Sequence, residues 1–162
     1  MDGSVYAPEA LSQILMVPAG EDQFGAFKTL GISQVAFKVS SRESKDIFMV
    51  EITLRKRGGP AKHLHYNQDE WWYIVESEFI IEAGDKRFHL KPGDSLWVPR
   101  KIPHAWAFVG ETQGRFIASV SPAGKLEEFF LAASKNNALP GPDQNQWRPY
   151  DMEWVGPPLK ID

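Results

Sequence analysis

The most informative part of the sequence places two histidines and a glutamate close together. It reads Gly59-Pro60-Ala61-Lys62-His63-Leu64-His65-Tyr66-Asn67-Gln68-Asp69-Glu70. Residues two apart on a β-strand point to the same face, so a strand here carries His63 and His65 on one face and Leu64 on the other. Two imidazoles so placed can bind one metal ion, and the Glu70 carboxylate can add an anionic ligand from the start of the next strand. The stretch therefore predicts a strand that carries the larger part of a metal site.

A second segment supplies a fourth candidate ligand. It reads Pro92-Gly93-Asp94-Ser95-Leu96-Trp97-Val98-Pro99-Arg100-Lys101-Ile102-Pro103-His104. We predict that a strand ends at Pro99, that the chain turns, and that His104 opens the returning strand with Trp106 and Phe108 on its own face. If that face lines the interior of a barrel, His104 reaches the same ion from the opposite wall.

The segments around these motifs read as a succession of short strands. Apolar and mostly polar residues alternate from Phe48 to Arg55, the period of a half-buried strand. The continuous apolar run from Trp71 to Val75 predicts a strand covered on both faces. Further strands are predicted at 79–81, 88–90, 96–98, 104–109 and 115–120, with a hairpin turn at 83–86. Many short strands separated by Gly and Pro turns are typical of a sandwich, a jelly roll or a barrel.

The chain of 162 residues suits a single domain, here residues 1–162 with a barrel core at about 33–121. A short helix is predicted within Pro8 to Leu15, and a second over about 124–134, where apolar side chains share one face.

The tail, residues 138–162, combines several prolines with Trp147, Tyr150 and Trp154. A disordered tail is usually poor in aromatic residues. We therefore expect an irregular, Pro-rich but ordered strap packed on the barrel, with at least two of these three side chains largely buried.

Composition excludes several classes of partner. The formal net charge is −3 and no basic cluster resembles a phosphate-binding surface, so no nucleic-acid partner is expected. No segment has the roughly 20 apolar residues needed to span a bilayer, so no membrane partner is expected either. The absence of cysteine excludes disulfides and thiolate metal ligands. The first residues lack the features of a signal peptide, and we expect a cytoplasmic protein.

The two histidine-bearing segments resemble the two conserved motifs of the cupin superfamily, over residues from about 48 to 121. The matching residues are His63, His65 and Glu70 in the first motif and Gly93, Pro99 and His104 in the second. The stretches 69–76 and 98–105 are most similar to small, single-domain quercetin-dioxygenase-like cupins.

Four positions depart from the family pattern. Gly58 stands one residue too close to the histidines, Ser77 and Lys101 replace glycines, and Phe108 replaces a final asparagine. None of the four is a candidate ligand, so the metal site survives these departures. Lys101 is predicted to adopt a positive φ, at a cost of about 1 kcal/mol.

The resemblance implies an all-β fold, a double-stranded β-helix or jelly-roll barrel of six to eight strands followed by a short C-terminal helix. It also implies a homodimer and one divalent transition metal, Fe, Mn, Ni, Co, Cu or Zn, on His63, His65, Glu70 and His104. It implies no single reaction, because this fold carries oxygenases, isomerases, lyases and metal-free binders.

The leading functional hypothesis is a metal-dependent dioxygenase acting on an aromatic or enolic small molecule. Glu70 is then a ligand and a possible catalytic base, with a pKa raised by apolar surroundings. The alternatives are a metal-dependent isomerase or lyase, which consumes no O₂, and a non-catalytic module that binds a metal or a small molecule.

Several apolar side chains share the parity of Glu70 and His104 along their strands. They are candidates either for the barrel core or for a substrate pocket above the metal, and the sequence leaves both readings open. The candidates are Trp72, Ile74, Trp106 and Phe108, with Tyr66 as a weaker one. The fourth histidine, His89, alternates with Phe88 and Leu90 and is predicted to face solvent.

Overall fold

The computed structural model describes residues 5, 8–11 and 13–162, and these form strands with two helices. The helices are α1 (Pro8–Leu11) and α2 (Leu126–Lys135), and two 3₁₀ turns span Gln144–Gln146 and Arg148–Tyr150. The strands are β1 (Lys28–Leu30), β2 (Ser33–Val39), β3 (Phe48–Leu54), β4 (Ala61–His65), β5 (Asp69–Glu76), β6 (Phe79–Ala83), β7 (Lys86–Leu90), β8 (Ser95–Val98), β9 (His104–Phe108), β10 (Gly114–Ser121) and β11 (Met152–Pro158).

The strands make two antiparallel sheets. One has six strands in the order β1-β2-β3-β10-β5-β8, and the other has five in the order β11-β4-β9-β6-β7. The chain crosses repeatedly between them, for example from β4 in the smaller sheet to β5 in the larger one. The expected double-stranded β-helix with a short helix after its last barrel strand is confirmed.

The core lies between the sheets and follows the alternation of the sequence. On β3, Phe48, Val50, Ile52 and Leu54 are buried, and the residues between them are half-buried. Removing each such side chain from water contributes about 1.5–3 kcal/mol, so the inner face of β3 stabilises the fold.

β5 does not follow the prediction that both its faces are covered. Trp72 and Ile74 are buried on the inner face, but Tyr73 on the other face is 37% exposed. Trp71 stacks on Tyr73 on that outer side, with ring centroids 6.0 Å apart. Only the inner face of β5 packs against the second sheet. The prediction that the outer face is also covered was therefore wrong, although that face carries aromatic residues.

Two non-glycine residues adopt the left-handed backbone conformation where the family motif has glycine. Lys101 has φ 67°, as predicted, and Ser77 has φ 66°. The Lys101 backbone N–H donates to the His65 carbonyl over 2.7 Å, so the turn before β9 is joined to the end of β4.

α2 attaches to the barrel through a buried carboxylate as well as through apolar contacts. Leu126, Phe129 and Ala133 are buried on its inner face. Glu127 accepts hydrogen bonds from the Ser40 hydroxyl at 2.7 Å and from the Ser41 backbone N–H at 3.0 Å. The helix is therefore joined to the loop that follows β2.

The tail is ordered, as expected, but it is not irregular throughout. Residues 152–158 form β11, which pairs with β4 and places Trp154 opposite His63. β4 would otherwise be an edge strand with unpaired backbone groups, and β11 satisfies them. The sequence pattern did not predict this strand, because glycine and proline are unfavourable in strands and the segment contains Gly156, Pro157 and Pro158.

The three tail aromatics are buried to different degrees. Trp147 is 1% exposed, and Tyr150 and Trp154 are partly buried and pack against the core. At the other end of the chain, α1 ends at Leu11, and Ser12 lies outside the described residues. No helix in the described part of the chain is long and apolar enough to cross a membrane.

We expect Gly59→Ala to lower the free energy of unfolding by about 3 kcal/mol, because overpacking here displaces backbone rather than a flexible side chain. An added Cβ at Gly59 would lie 1.8 Å from the carbonyl oxygen of Trp106. Gly141→Ala is the matched control, since its Cβ would meet only the Gln146 side chain at 3.9 Å. Urea denaturation of both variants tests this, and equal stabilities would contradict it.

Candidate metal centre

Four side chains converge inside the barrel at the end where β4, β5 and β9 meet. They are His63, His65, Glu70 and His104, all buried, and one ligand atom from each lies within 4.8 Å of the others. The structure thus brings together all four of the ligands predicted from the sequence.

The two sheets contribute unequally to this cluster. His63 and His65 lie on β4, and His104 lies on the neighbouring strand β9, directly opposite His63 in the ladder. Glu70 comes from β5 in the facing sheet. The expectation that His104 approaches from the opposite wall is therefore wrong, because strand spacing in the sequence does not say which sheet a strand joins; Glu70 is the ligand that crosses the barrel.

Hydrogen bonds on the outer side of each imidazole set its tautomer. The Nδ1 atoms of His63 and His104 lie 2.7 Å and 3.0 Å from the backbone carbonyls of Ala61 and Ile102. A carbonyl oxygen can only accept, so each Nδ1 carries the proton and donates it. The Nδ1 of His65 lies 2.9 Å from the side-chain oxygen of Gln68 in the same way. In the neutral ring, each Nε2 atom therefore keeps a free lone pair, the form in which imidazole binds metal.

The inner side of the cluster is a set of acceptors without donors. The Glu70 Oε2 atom lies 3.1 Å from His65 Nε2 and 3.0 Å from His104 Nε2. These three buried atoms have no hydrogen-bond partner. Buried polar atoms are normally satisfied, and lone pairs facing each other at this distance repel. A cation among them removes both costs, so the donor set fits a metal ion.

Electrostatics keep the cluster in the charge state that a metal needs. Burial, with the neighbouring His104 and His65, holds the pKa of His63 well below its ordinary value, so this ring is neutral at neutral pH. Burial by itself would raise the pKa of Glu70, but the positive charge and the hydrogen bonds that the His65 and His104 imidazoles supply when protonated outweigh burial and lower the pKa below its usual range. The expectation of a raised pKa for Glu70 is thus wrong, and the group is a carboxylate.

A cavity of about 50 Å³ adjoins the cluster. Of the pocket candidates, Trp72 and Trp106 line it, whereas Ile74 and Phe108 are buried in the core elsewhere. Tyr66 is 39% exposed, and its hydroxyl donates to Glu153 on the surface. The charged or ionisable residues of the lining are His63, His65 and Glu70, and its other residues are apolar or serine. His89 faces solvent, as predicted.

The tail covers the cluster in a way that the motifs did not predict. The Trp147 ring stacks on the His63 ring, with centroids 5.1 Å apart and planes 29° apart. Its indole N–H donates to the carbonyl of Gly141 over 2.7 Å. Phe129 of α2 packs on Trp147 at 5.3 Å. The abundance of aromatic residues in the tail was the one sequence signal for this role.

Residues 50–120 match the family model described as a Cupin domain. Among curated proteins, the chain is similar to the uncharacterized protein MJ1618 of Methanocaldococcus jannaschii, with 28% identity over 66 residues. The match covers 41% of this chain and 53% of that protein, so the chain spans about half the length of this relative.

Solved structures share the fold. A RmlC-like cupin from Shewanella frigidimarina matches with a TM-score of 0.52 and 24% identity over 60% of this chain and 84% of that one. A predicted oxalate decarboxylase from Thermotoga maritima matches with a TM-score of 0.55 and 17% identity over 67% of this chain and 99% of that one. With its two facing sheets, its buried His/Glu cluster and the match of residues 50–120 to the family model, the chain contains a cupin domain.

Proposed function

We propose that the protein binds one divalent transition metal ion through His63, His65, Glu70 and His104 and acts as a dioxygenase on an aromatic or enolic small molecule. The observation that carries the proposal is the set of three imidazoles, each held at Nδ1 by an acceptor, whose Nε2 atoms converge with one carboxylate inside an apolar barrel. Imidazole ligands favour Fe, Mn, Ni, Co, Cu or Zn over Mg or Ca, which prefer oxygen.

The donor set and its surroundings favour oxygen chemistry. Histidine and carboxylate ligands with open coordination positions are the pattern of non-haem iron oxygenases, in which the bound ion orients substrate and O₂. The apolar lining excludes water and suits an apolar substrate. It contains no lysine or arginine, so a phosphorylated substrate would find no counter-charge there.

Glu70 has a second role in the proposal. As a carboxylate flanked by His65 and His104, it can accept the proton of a phenol or an enol bound beside it. The three histidines alone make a sufficient metal anchor, which frees the carboxylate to move. Its lowered pKa makes it a weaker base than a carboxylate in purely apolar surroundings.

The cavity beside the metal site is small, so it must either open when substrate binds or accept only a compact substrate. Ligand pockets usually measure about 300–1,000 Å³, well above the 50 Å³ found here. A surface groove of about 220 Å³ lies between α2 and the tail and shares Phe129, Leu139 and Pro140 with the cavity lining. We propose that these three residues form the wall through which substrate enters.

Purified protein is expected to bind one equivalent of a divalent transition metal. His104→Ala should weaken this binding by more than about 100-fold, because an inner ligand matters more than its supporting residues. His89→Ala is the matched control, a histidine on the solvent-facing side of β7, and should bind as the native chain does. Elemental analysis and titration calorimetry measure both, and equal affinities in the two variants would refute the four-ligand site.

The metal-loaded protein is expected to consume O₂ with an aromatic diol or a β-diketone. An oxygen electrode follows the uptake during an aerobic screen of such compounds, and the metal-free protein is the control. Conversion of a substrate without O₂ uptake would refute the dioxygenase and assign a lyase or isomerase reaction to the same metal site.

Glu70→Gln separates the two roles of the carboxylate. If Glu70 is also the base, the variant keeps its metal but loses about 10²–10⁴-fold in rate, the usual contribution of a positioned proton acceptor. The matched control, Glu78→Gln, changes an exposed carboxylate and should retain full activity. Full turnover by metal-loaded Glu70→Gln would exclude the base role and leave the metal site unaffected.

A further inference from the structure

We infer that Gln68 is a positioning residue for the proposed metal centre, because its side-chain amide sets the tautomer of His65 and so keeps His65 Nε2 available as a ligand atom. The inference rests on the proposed metal binding. Gln68 lies in the turn between β4 and β5 and is 4% exposed.

The orientation of the Gln68 amide follows from its partners. Its Nε2 donates to the carbonyl oxygen of Ala123 at 2.6 Å and to that of Pro122 at 3.3 Å. Both partners can only accept, so the NH₂ end of the amide must face them. The Oε1 end then faces His65, where it accepts the Nδ1 proton over 2.9 Å.

The surrounding chain leaves room for this amide. Gly124 follows the two carbonyls that hold Gln68 and has φ +52°. A Cβ at this position would lie 2.7 Å from Gln68 Nε2 and 3.0 Å from its Cδ. A side chain at position 124 would therefore displace the amide, so the turn before α2 and Gln68 depend on each other.

His65 is the ligand for which such a support matters most. His63 and His104 donate to backbone carbonyls two residues earlier in their own segments, which no substitution removes. His65 depends on a side chain from the following turn. Without that acceptor, the best remaining site for the proton is Nε2, because Glu70 Oε2 lies 3.1 Å away and can accept it. That tautomer would occupy a ligand nitrogen and a ligand oxygen at once.

The test compares Gln68→Met with Gln68→Glu. Both variants lose the hydrogen bond to Ala123, and Gln68→Met alone loses the acceptor for His65 Nδ1. We expect Gln68→Met to weaken Co²⁺ binding by about 10- to 100-fold, the usual effect of losing such a support, and Gln68→Glu to bind Co²⁺ at least as tightly as the native chain. Chelator competition measures the affinities. Gln146→Met is the control, because its amide accepts from the Gly141 N–H in the tail and touches no candidate ligand.

Nitrogen NMR of the histidine rings in the metal-free protein gives a second readout. His65 should be the Nδ1–H tautomer in the native chain and in Gln68→Glu, and should shift toward Nε2–H in Gln68→Met. Equal losses of affinity in both variants, or an unchanged tautomer in Gln68→Met, would overturn the inference. A native chain that binds no Co²⁺ would instead refute the proposed metal site, while the tautomer comparison still decides the role of Gln68.

If Gln68→Met fails to fold, Gln68→Asn replaces it. Its amide is one methylene shorter and cannot span His65 and Ala123 together, so the same loss of affinity and the same tautomer shift are expected. An Asn variant with native affinity and the native tautomer would equally overturn the inference.

Discussion

Unprotonated imidazole nitrogens and a carboxylate oxygen face one another in the apolar interior of this barrel, and the surrounding structure depends on keeping them there. Oxygen and nitrogen lone pairs about 3 Å apart repel, and neither Glu70 nor the histidines can turn to water. Such an arrangement is stable as a cation site and costly otherwise. It is also specific, because any protonation of the inner nitrogens converts acceptors into donors and lets Glu70 pair with them instead.

The fold supports this arrangement from outside the cluster. The outer nitrogen of every ligand histidine has an acceptor, a backbone carbonyl for His63 and His104 and the Gln68 amide for His65. Antiparallel pairing of β4 with β9 puts His63 and His104 side by side, and the crossing to β5 brings Glu70 over from the other sheet. The metal site is therefore a property of both sheets, and a change in their separation would alter the distance from Glu70 to the imidazoles.

The C-terminal part of the chain closes the barrel over the cluster. β11 extends the smaller sheet beside β4, Trp147 stacks on His63, and Phe129 of α2 packs on Trp147. α2 is joined to the loop after β2 through Glu127 and Ser40, and the turn before α2 is joined to the metal site through Gln68. The cover and the candidate ligands thus share hydrogen bonds and ring contacts, so opening the cover for a substrate would disturb the environment of His63 and His65.

Which residues form the candidate metal site, and which segments form most of the strands, followed from the sequence alone. The reason is that both depend on short-range spacing: His63 and His65 share a face because strand side chains alternate, and Phe48 to Leu54 form a half-buried strand for the same reason. The positive φ of Lys101 was expected from the resemblance to the cupin motif, which has glycine at this turn position. Other properties depended on the tertiary structure. Contacts between segments far apart in the chain decide which sheet carries His104 and which face of β5 meets solvent. They also decide that residues 152–158 pair with β4. The pKa of Glu70 is lowered, although burial by itself would raise it, because the fold places Glu70 beside His65 and His104. Alternation along one strand carries no information about those contacts, because it specifies the two faces of a strand and not what lies against either of them.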